Sequence, residues 1–211
     1  MALTAHHITA GHPGRPVLAD VSLTVAPGRV VGLTGPSGSG KTTLARVLAG
    51  LHTPTSGHVT IDDKPLSAAG RGAIAMLYQS PRQAVAARWP LAKIIAEPCR
   101  DFGASRAAAV RQVATRVGLT DDLLDRRPHQ VSDGQLQRAC LARVLIQRPR
   151  YLICDEMTAM LDPATTAALT AAITDATRDG LGVLAISHDH NLLEVWADHT
   201  ATTSELRSVE R

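Results

Sequence analysis

The fold of this chain is decided by the stretch Val30-Val31-Gly32-Leu33-Thr34-Gly35-Pro36-Ser37-Gly38-Ser39-Gly40-Lys41-Thr42. Its apolar beginning predicts a buried strand, and glycine and serine dominate the residues before Lys41. Beyond the stretch, apolar residues recur at i, i+3, i+4 and i+7 from Leu44 to Leu51, which predicts an amphipathic helix. The segment from Gly35 to Thr42 matches G-x-x-x-x-G-K-[ST] in full, and it lies between strand and helix, where a phosphate-binding loop is expected.

The residue types of this loop suit a bound polyphosphate. Small residues allow backbone N–H groups to point inward around the phosphates. Lys41 is expected to reach the β- and γ-phosphates, and the Thr42 hydroxyl to complete a Mg²⁺ shell of water and phosphate oxygens. Thr43 can add a further phosphate contact at the start of the helix. The sequence therefore predicts nucleotide binding.

The rest of the chain predicts strands that alternate with helices. Strand patterns lie at residues 17–25, 57–78, 151–154 and 182–186. Helical patterns cover about 91–146 and about 163–178. This alternation predicts an α/β fold with a P-loop NTPase core. The core is expected to contain a mostly parallel sheet, with an antiparallel β subdomain at the N-terminus and an inserted α-helical subdomain over roughly 80–146. One domain is expected to span residues 1–211.

Composition excludes several classes of function. The chain has 211 residues, of which 45% are hydrophobic and 19% charged, as in an ordinary soluble domain. Aromatic residues make up only 2% and the net charge is +3, which argues against a nucleic-acid partner. No apolar run reaches the about 18 residues of a membrane span, and no secretory signal is expected. Cys140 and Cys154 are expected in the core, and Arg143, Arg148 and Arg150 are interpreted as a solvated face.

Two carboxylates follow an apolar strand in Tyr151-Leu152-Ile153-Cys154-Asp155-Glu156. Successive strand side chains face opposite ways, so Asp155 and Glu156 are expected to have different roles. One can help to hold Mg²⁺, and the other can polarise an attacking water molecule. An acidic pair at a strand end is more often a solvated terminus or a helix cap, but beside a phosphate-binding loop it indicates catalysis.

Two later segments are informative beside this loop. In Val131-Ser132-Asp133-Gly134-Gln135-Leu136-Gln137-Arg138, Ser132 lies where a helix N-cap is expected, so the helix start presents N–H groups suited to an anion. In Ile186-Ser187-His188-Asp189, a histidine follows a strand. Taken alone, each segment fits ordinary capping or an ordinary loop histidine.

The order of these motifs along the chain resembles the ATP-binding cassette of ABC transporters. The resemblance implies that Gln79 is the Q-loop residue, a catalytic residue and a ligand of Mg²⁺, and that it reports nucleotide state to the membrane partner. It also implies that Asp155 is the Walker B ligand of Mg²⁺ and that Glu156 is the general base. Asp162 corresponds to the D-loop, and His188 to the switch histidine that contacts the γ-phosphate.

The same resemblance implies that the site is shared between two chains. Ser132, Gly134 and Gln135 form the signature, which would close over ATP held by the phosphate-binding loop of a second cassette. Two cassettes, either two copies or this chain and a paralogue, are therefore expected to sandwich two ATP molecules head to tail. ATP would favour the closed state and hydrolysis would let the cassettes part.

Within this family, Gln79-Ser80-Pro81-Arg82 and Ile94-Ile95-Ala96-Glu97-Pro98 resemble importers of peptides, nickel and metal chelates. Such a motor would act on transmembrane permease subunits at the cytoplasmic face of the membrane, and indirectly with an extracytoplasmic substrate-binding protein. A soluble non-transport ABC ATPase and a regulatory cassette paired with a different active one are the alternatives. An exporter is a further alternative.

Several positions depart from the family pattern. Asp133 stands where the signature usually has glycine, and its carboxylate is expected to weaken nucleotide binding unless it turns outward or pairs with a base. Met157 and Met160 replace the usual Pro and Ala before Asp162. An aromatic residue that stacks on adenine is expected near the N-terminus, yet residues 1–28 contain none, and His12 is the nearest candidate.

Overall fold

The computed structural model describes residues 2–12, 15–70, 72–99 and 105–206. The strands of this part are β1 (Leu3–His12), β2 (Arg15–Val25), β3 (Val30–Thr34), β4 (Ser56–Ile61), β5 (Lys64–Pro65), β6 (Ile74–Tyr78), β7 (Tyr151–Asp155), β8 (Gly182–Ile186) and β9 (His199–Thr202). Its α-helices are α1 (Lys41–Leu48), α2 (Leu91–Ile95), α3 (Arg106–Arg116), α4 (Asp121–Leu124), α5 (Asp133–Ile146), α6 (Pro163–Arg178) and α7 (His190–Trp196).

The strands form two sheets. One has the order β2-β1-β4-β5, and its neighbouring strands run antiparallel. The other has the order β6-β7-β8-β3-β9, in which β7, β8, β3 and β9 run parallel. These sheets confirm the predicted α/β fold, with its antiparallel N-terminal part and its mostly parallel core.

The described residues fall into two compact units. The first contains Met1–Met76, Arg150–Glu156 and Thr177–Arg211, and the second contains Leu77–Pro149 and Met157–Ala176. The expectation of one domain over residues 1–211, with a helical subdomain at roughly 80–146, stays a prediction.

The core of the first unit lies around the parallel sheet. Every residue of β3, β7 and β8 is buried, because each strand is an apolar run of the kind that a sheet covered on both faces requires. Parallel neighbours place their carboxyl ends at one edge, which is where α/β folds bind ligands. The loop after β3, the acidic end of β7 and the histidine after β8 therefore all lie at that edge.

The core of the second unit is centred on α5. Leu136, Ala139, Cys140 and Leu141 are all buried, so this helix is apolar on more than one face. α2 and α3 both pack against it. Cys140 and Cys154 are buried as predicted. Arg143 contradicts the predicted solvated face, because its side chain is only 19% exposed and is held by Glu97.

Candidate active site

The phosphate-binding loop leaves the start of α1 open to a ligand. Gly40 occupies the N-cap with a φ of 97°, and no side chain caps the helix. The N–H groups of the first turn have no intrahelical partners and are available to an anion. A Cβ on Gly40 would lie 2.5 Å from Leu18 Cδ2, so any other residue would force the Leu18 side chain to move. The left-handed backbone conformation therefore favours glycine at this position, and the packing against Leu18 adds to that preference.

Lys41 is held inside the loop by backbone carbonyls. Its side chain is among the buried polar groups, with the residue 5% exposed. Nζ donates to the carbonyl oxygens of Gly35 at 2.9 Å and of Pro36 at 3.0 Å. The two carbonyl acceptors are neutral, so they do not neutralise the buried ammonium, and its positive charge remains available to attract an anion.

Thr42 and Asp155 are brought together from α1 and β7. The Thr42 hydroxyl donates to Asp155 Oδ1 at 3.2 Å. Burial raises the pKa of the Asp155 carboxyl, the Thr42 hydrogen bond opposes that rise, and the neighbouring Glu156 charge adds to it. A hydroxyl and a carboxylate side by side are hard oxygen donors of the kind that Mg²⁺ prefers. The residues present therefore fit a magnesium ion.

Glu156 and His188 form a second pair at the same edge. His188 Nε2 lies 2.8 Å from Glu156 Oε1, and because a carboxylate can only accept, that nitrogen carries the proton. Glu156 has a φ of 53°, in the left-handed region, and its own N–H donates to the carbonyl of Ile186 at 3.0 Å. This conformation turns the chain sharply after β7, and a non-glycine residue held in it commonly marks a functional site.

A cavity of about 300 Å³ opens between these groups. Its lining comes entirely from the first unit: Val17, Ser37, Gly38, Gly40, Lys41, Thr42, Thr43, Glu156 and His188. The cavity therefore contains both the phosphate-binding loop and the Glu156–His188 pair. Val17 was not predicted to line the site. It belongs to no motif, so nothing in the sequence indicates that it lies beside the phosphate-binding loop.

The signature residues belong to the second unit, at the start of α5. The Ser132 hydroxyl accepts from the Gln135 N–H at 3.1 Å, and the Gln135 side chain accepts from the Ser132 N–H at 3.0 Å. This reciprocal capping box confirms the predicted N-cap. Gly134 packs so tightly that a Cβ would lie 2.8 Å from Thr165 Cγ2.

Asp162 and Gln79 also belong to the second unit. Asp162 Oδ1 accepts from the Thr165 N–H at 2.9 Å, and Oδ2 from the Thr165 hydroxyl at 2.6 Å. These bonds keep the pKa of the Asp162 carboxyl below its usual value. Gln79 is exposed and immediately follows β6.

Asp133 is paired with a base that sequence reasoning did not single out. Arg82 Nε lies 2.7 Å from Asp133 Oδ1. The carboxylate that departs from the usual signature is thus charge-neutralised inside its own unit. The signal that could have found Arg82 is the expectation that Asp133 needs a partner.

The remaining candidate, His12, has a side chain outside the described part of the structure.

A family model for the ABC transporter matches residues 18–159, well over half of the chain. This chain belongs to the ABC transporter family. It is an ATP-binding and ATP-hydrolysing cassette, as the order of its motifs predicts. In the described ranges, no helix of the cassette is at once long and apolar enough to pass through a bilayer.

Curated relatives of the cassette include nickel import ATP-binding proteins. NikE of Rhodospirillum rubrum is 37% identical over 210 residues, which cover 94% of this chain and 76% of that protein. NikE of Escherichia coli strain K12 is 36% identical over 207 residues, which cover 90% of this chain and 77% of that protein.

Solved structures show the same fold. The structure of cbiO1 from Clostridium perfringens, part of the ABC transporter complex cbiONQ, matches with a TM-score of 0.85 at 23% identity, over 99% of this chain and 86% of that chain. The dimeric structure of MJ0796, a bacterial ABC transporter cassette, matches with a TM-score of 0.83 at 21% identity, over 99% of this chain and 98% of that chain.

Proposed function

We propose that the cassette holds the phosphates of ATP in the loop from Gly35 to Thr43. The uncapped start of α1 and the buried Lys41 ammonium support this assignment. Lys41 exchanges its two carbonyl acceptors for phosphate oxygens, which are stronger partners for an ammonium. Thr43 adds a contact from the first turn of α1.

Thr42 and Asp155 would hold a magnesium ion, and Gln79 is proposed as a further ligand. The Thr42–Asp155 distance of 3.2 Å and the buried position of Asp155 support the first two assignments. When bound, the ion supplies positive charge that offsets the charge of the phosphates. A bound cation would also favour the ionised form of Asp155, because a positive charge beside a carboxyl group lowers its pKa.

Glu156 is the general base, and its hydrogen bond with His188 at 2.8 Å is the observation that carries the catalytic assignment. The arriving γ-phosphate competes for the same His188 N–H, because its oxygens are charged acceptors. Glu156 is then free to take a proton from the attacking water. A bond forms from the water oxygen to the γ-phosphorus, the bond to the bridging oxygen breaks, and ADP and phosphate leave.

A second cassette supplies the other half of the closed site. Its Ser132, Gly134 and Gln135 face the nucleotide held by the first, and Asp162 lies at the crossing between them. The capped, rigid start of α5 supports such a contact, since Ser132 and Gln135 are already fixed by each other. The cassettes associate with permease subunits at the cytoplasmic face of the membrane, and an extracytoplasmic binding protein delivers the cargo.

The cargo is nickel. The nickel import proteins that are 36–37% identical over most of this chain support this choice above peptides or metal chelates. A direct test deletes the coding sequence from its host and measures uptake of radioactive nickel. Complementation with the natural chain restores uptake, and complementation with Glu156→Gln does not. Unchanged nickel uptake in the deletion strain would exclude nickel as the main cargo.

A further inference from the structure

Arg82 binds the segment that leads into the signature at three points. Nε pairs with Asp133 Oδ1 at 2.7 Å. Nη1 donates to the carbonyl of Pro128 at 2.8 Å, and Nη2 to the carbonyl of Val131 at 3.3 Å. All three acceptors lie within residues 128–133, on either side of the N-cap Ser132. Each of the three nitrogens of the planar guanidinium has a partner in this segment, so Arg82 holds the segment in one conformation.

Two further side chains of α5 bind the same stretch from which Arg82 comes. Gln137, 1% exposed, donates through Nε2 to the carbonyl of Tyr78 at 3.1 Å. Arg143 Nη1 donates to the carbonyl of Ala84 at 2.8 Å. Residues 78–84 are thus attached to α5 at its first residue, in its second turn and in its last turn. This stretch contains Gln79.

We propose that Asp133 and Arg82 are positioning residues that tie the Gln79 stretch to the start of α5 and fix the orientation of Ser132. The inference rests on the proposed function, in which Ser132 contacts nucleotide held by a second cassette. Asp133 acts through Arg82, and the pair has no net charge, so it does not repel the triphosphate. A change in the position of residues 78–84 is transmitted to Ser132 through the guanidinium.

The sign of one substitution separates this account from simple repulsion. If Asp133 repels phosphate, removing its carboxylate strengthens ATP-driven association of two cassettes. If Asp133 positions Ser132 through Arg82, the same change weakens association. The side chains of Arg82 and Asp133 are 45% and 49% exposed, so each pair contributes little by itself. A symmetric dimer contains two such pairs, so one substitution changes the free energy of association by the sum of two small contributions.

The experiment measures ATP-driven self-association of the full chain by light scattering, in a Glu156→Gln background. Asp133→Ala and Arg82→Met should each weaken association about five- to tenfold, while ATP affinity of the single chain changes less than about twofold. The double variant should be no weaker than the weaker single variant. Asp133→Glu, which keeps the charge, should restore most of the association.

Asp175 provides the matched control. It forms an exposed ion pair with Arg116 at 2.9 Å in the same unit, and neither residue belongs to 78–84 or 128–133. Asp175→Ala should leave association unchanged. Stronger association of Asp133→Ala, additive losses in the double variant, or failure of Asp133→Glu to restore association would each overturn the positioning role.

A second measurement tests the positioning role in a way that does not depend on self-association. Amide hydrogen exchange is followed at Ser132 and Gln135, whose N–H groups form the capping box. Asp133→Ala and Arg82→Met should speed exchange at these two amides several-fold, and Asp175→Ala should not. If the Glu156→Gln parent stays monomeric with ATP, the proposed self-pairing fails, and the exchange result still decides the positioning role. Unchanged exchange in both variants would contradict it.

Discussion

Two helix starts of this cassette are built in opposite ways. At α1, Gly40 takes the N-cap and no side chain satisfies the first N–H groups. At α5, Ser132 and Gln135 cap the helix reciprocally, and Arg82 holds the preceding segment. The first N–H groups of α1 are available to a ligand, whereas at α5 the Ser132 hydroxyl accepts from the Gln135 N–H.

In the proposed function, the difference separates the contacts that hold nucleotide from those that regulate its use. An uncapped start beside a buried lysine suits a tightly held polyphosphate. A capped start suits a contact that forms and breaks in every cycle, because it keeps its shape without a ligand. Substitutions around α1 are therefore expected to change binding or chemistry, and substitutions around α5 to change closure.

The largest effect is expected for Glu156→Gln. The variant keeps the shape of the side chain but cannot accept a proton at neutral pH, so kcat for ATP hydrolysis should fall by about 10²- to 10⁴-fold. ATP binding should remain, because the loop from Gly35 to Thr43 is untouched. Glu194→Gln on the exposed face of α7 is the control. Hydrolysis at the natural rate by Glu156→Gln would remove this residue from the chemistry.

Lys41→Ala is expected to have the next largest effect. Removing a buried charge that serves the phosphates should weaken ATP binding by about a hundredfold, as measured by calorimetry. Lys64→Ala, an exposed lysine in β5 of the same unit, should bind ATP normally. Equal affinity of the natural chain and Lys41→Ala would contradict the assignment of the loop, provided that the thermal unfolding of both proteins is similar.

Gly134→Ala tests packing at the start of α5. The new Cβ would lie 2.8 Å from Thr165 Cγ2, so the free energy of unfolding should fall by about 1 kcal/mol. Adding Thr165→Ser removes that methyl and should recover part of the loss, since the hydroxyl that binds Asp162 is kept. Gly70→Ala, which would meet no atom within 4 Å, is the control. No recovery in the double variant would show that the strain lies elsewhere.

The smallest expected effect is the difference in reactivity between the buried cysteines of the two units. Burial raises the pKa of the Cys140 thiol to about 11 and raises that of Cys154 as well. At pH 8 both are neutral thiols, so alkylation should proceed only through local opening, about a hundredfold slower than in denaturant. Cys154, in the middle of the parallel sheet, should react more slowly than Cys140. The reverse order, measured by mass spectrometry, would show that the first unit opens more readily.

Sequence reasoning predicted the parts of the site that are local in the chain. The loop from Gly35 to Thr42 and the Ser132 cap are read from neighbouring residues, because backbone conformation follows from glycine and capping preferences. The meeting of Thr42, Asp155 and His188 follows from parallel strands that end at one edge. The family resemblance added the roles of these residues.

Contacts between distant side chains were not predictable in this way. Arg82 reaches Asp133 across about fifty residues of chain, and Arg143 reaches the carbonyl of Ala84 across a similar distance. No periodicity or local preference specifies such pairs, since an arginine on a helix fits an exposed face equally well. The packing of Gly134 against Thr165 likewise depends on how α6 lies beside α5.

The most direct test of the central account is the solution mass of the Glu156→Gln cassette with and without ATP and Mg²⁺, measured by light scattering. The account predicts a monomer without nucleotide and a dimer with it, because the capped signature of one chain closes over ATP held at the uncapped helix of the other. A chain that binds ATP and stays monomeric at every concentration would contradict closure between two copies of this cassette.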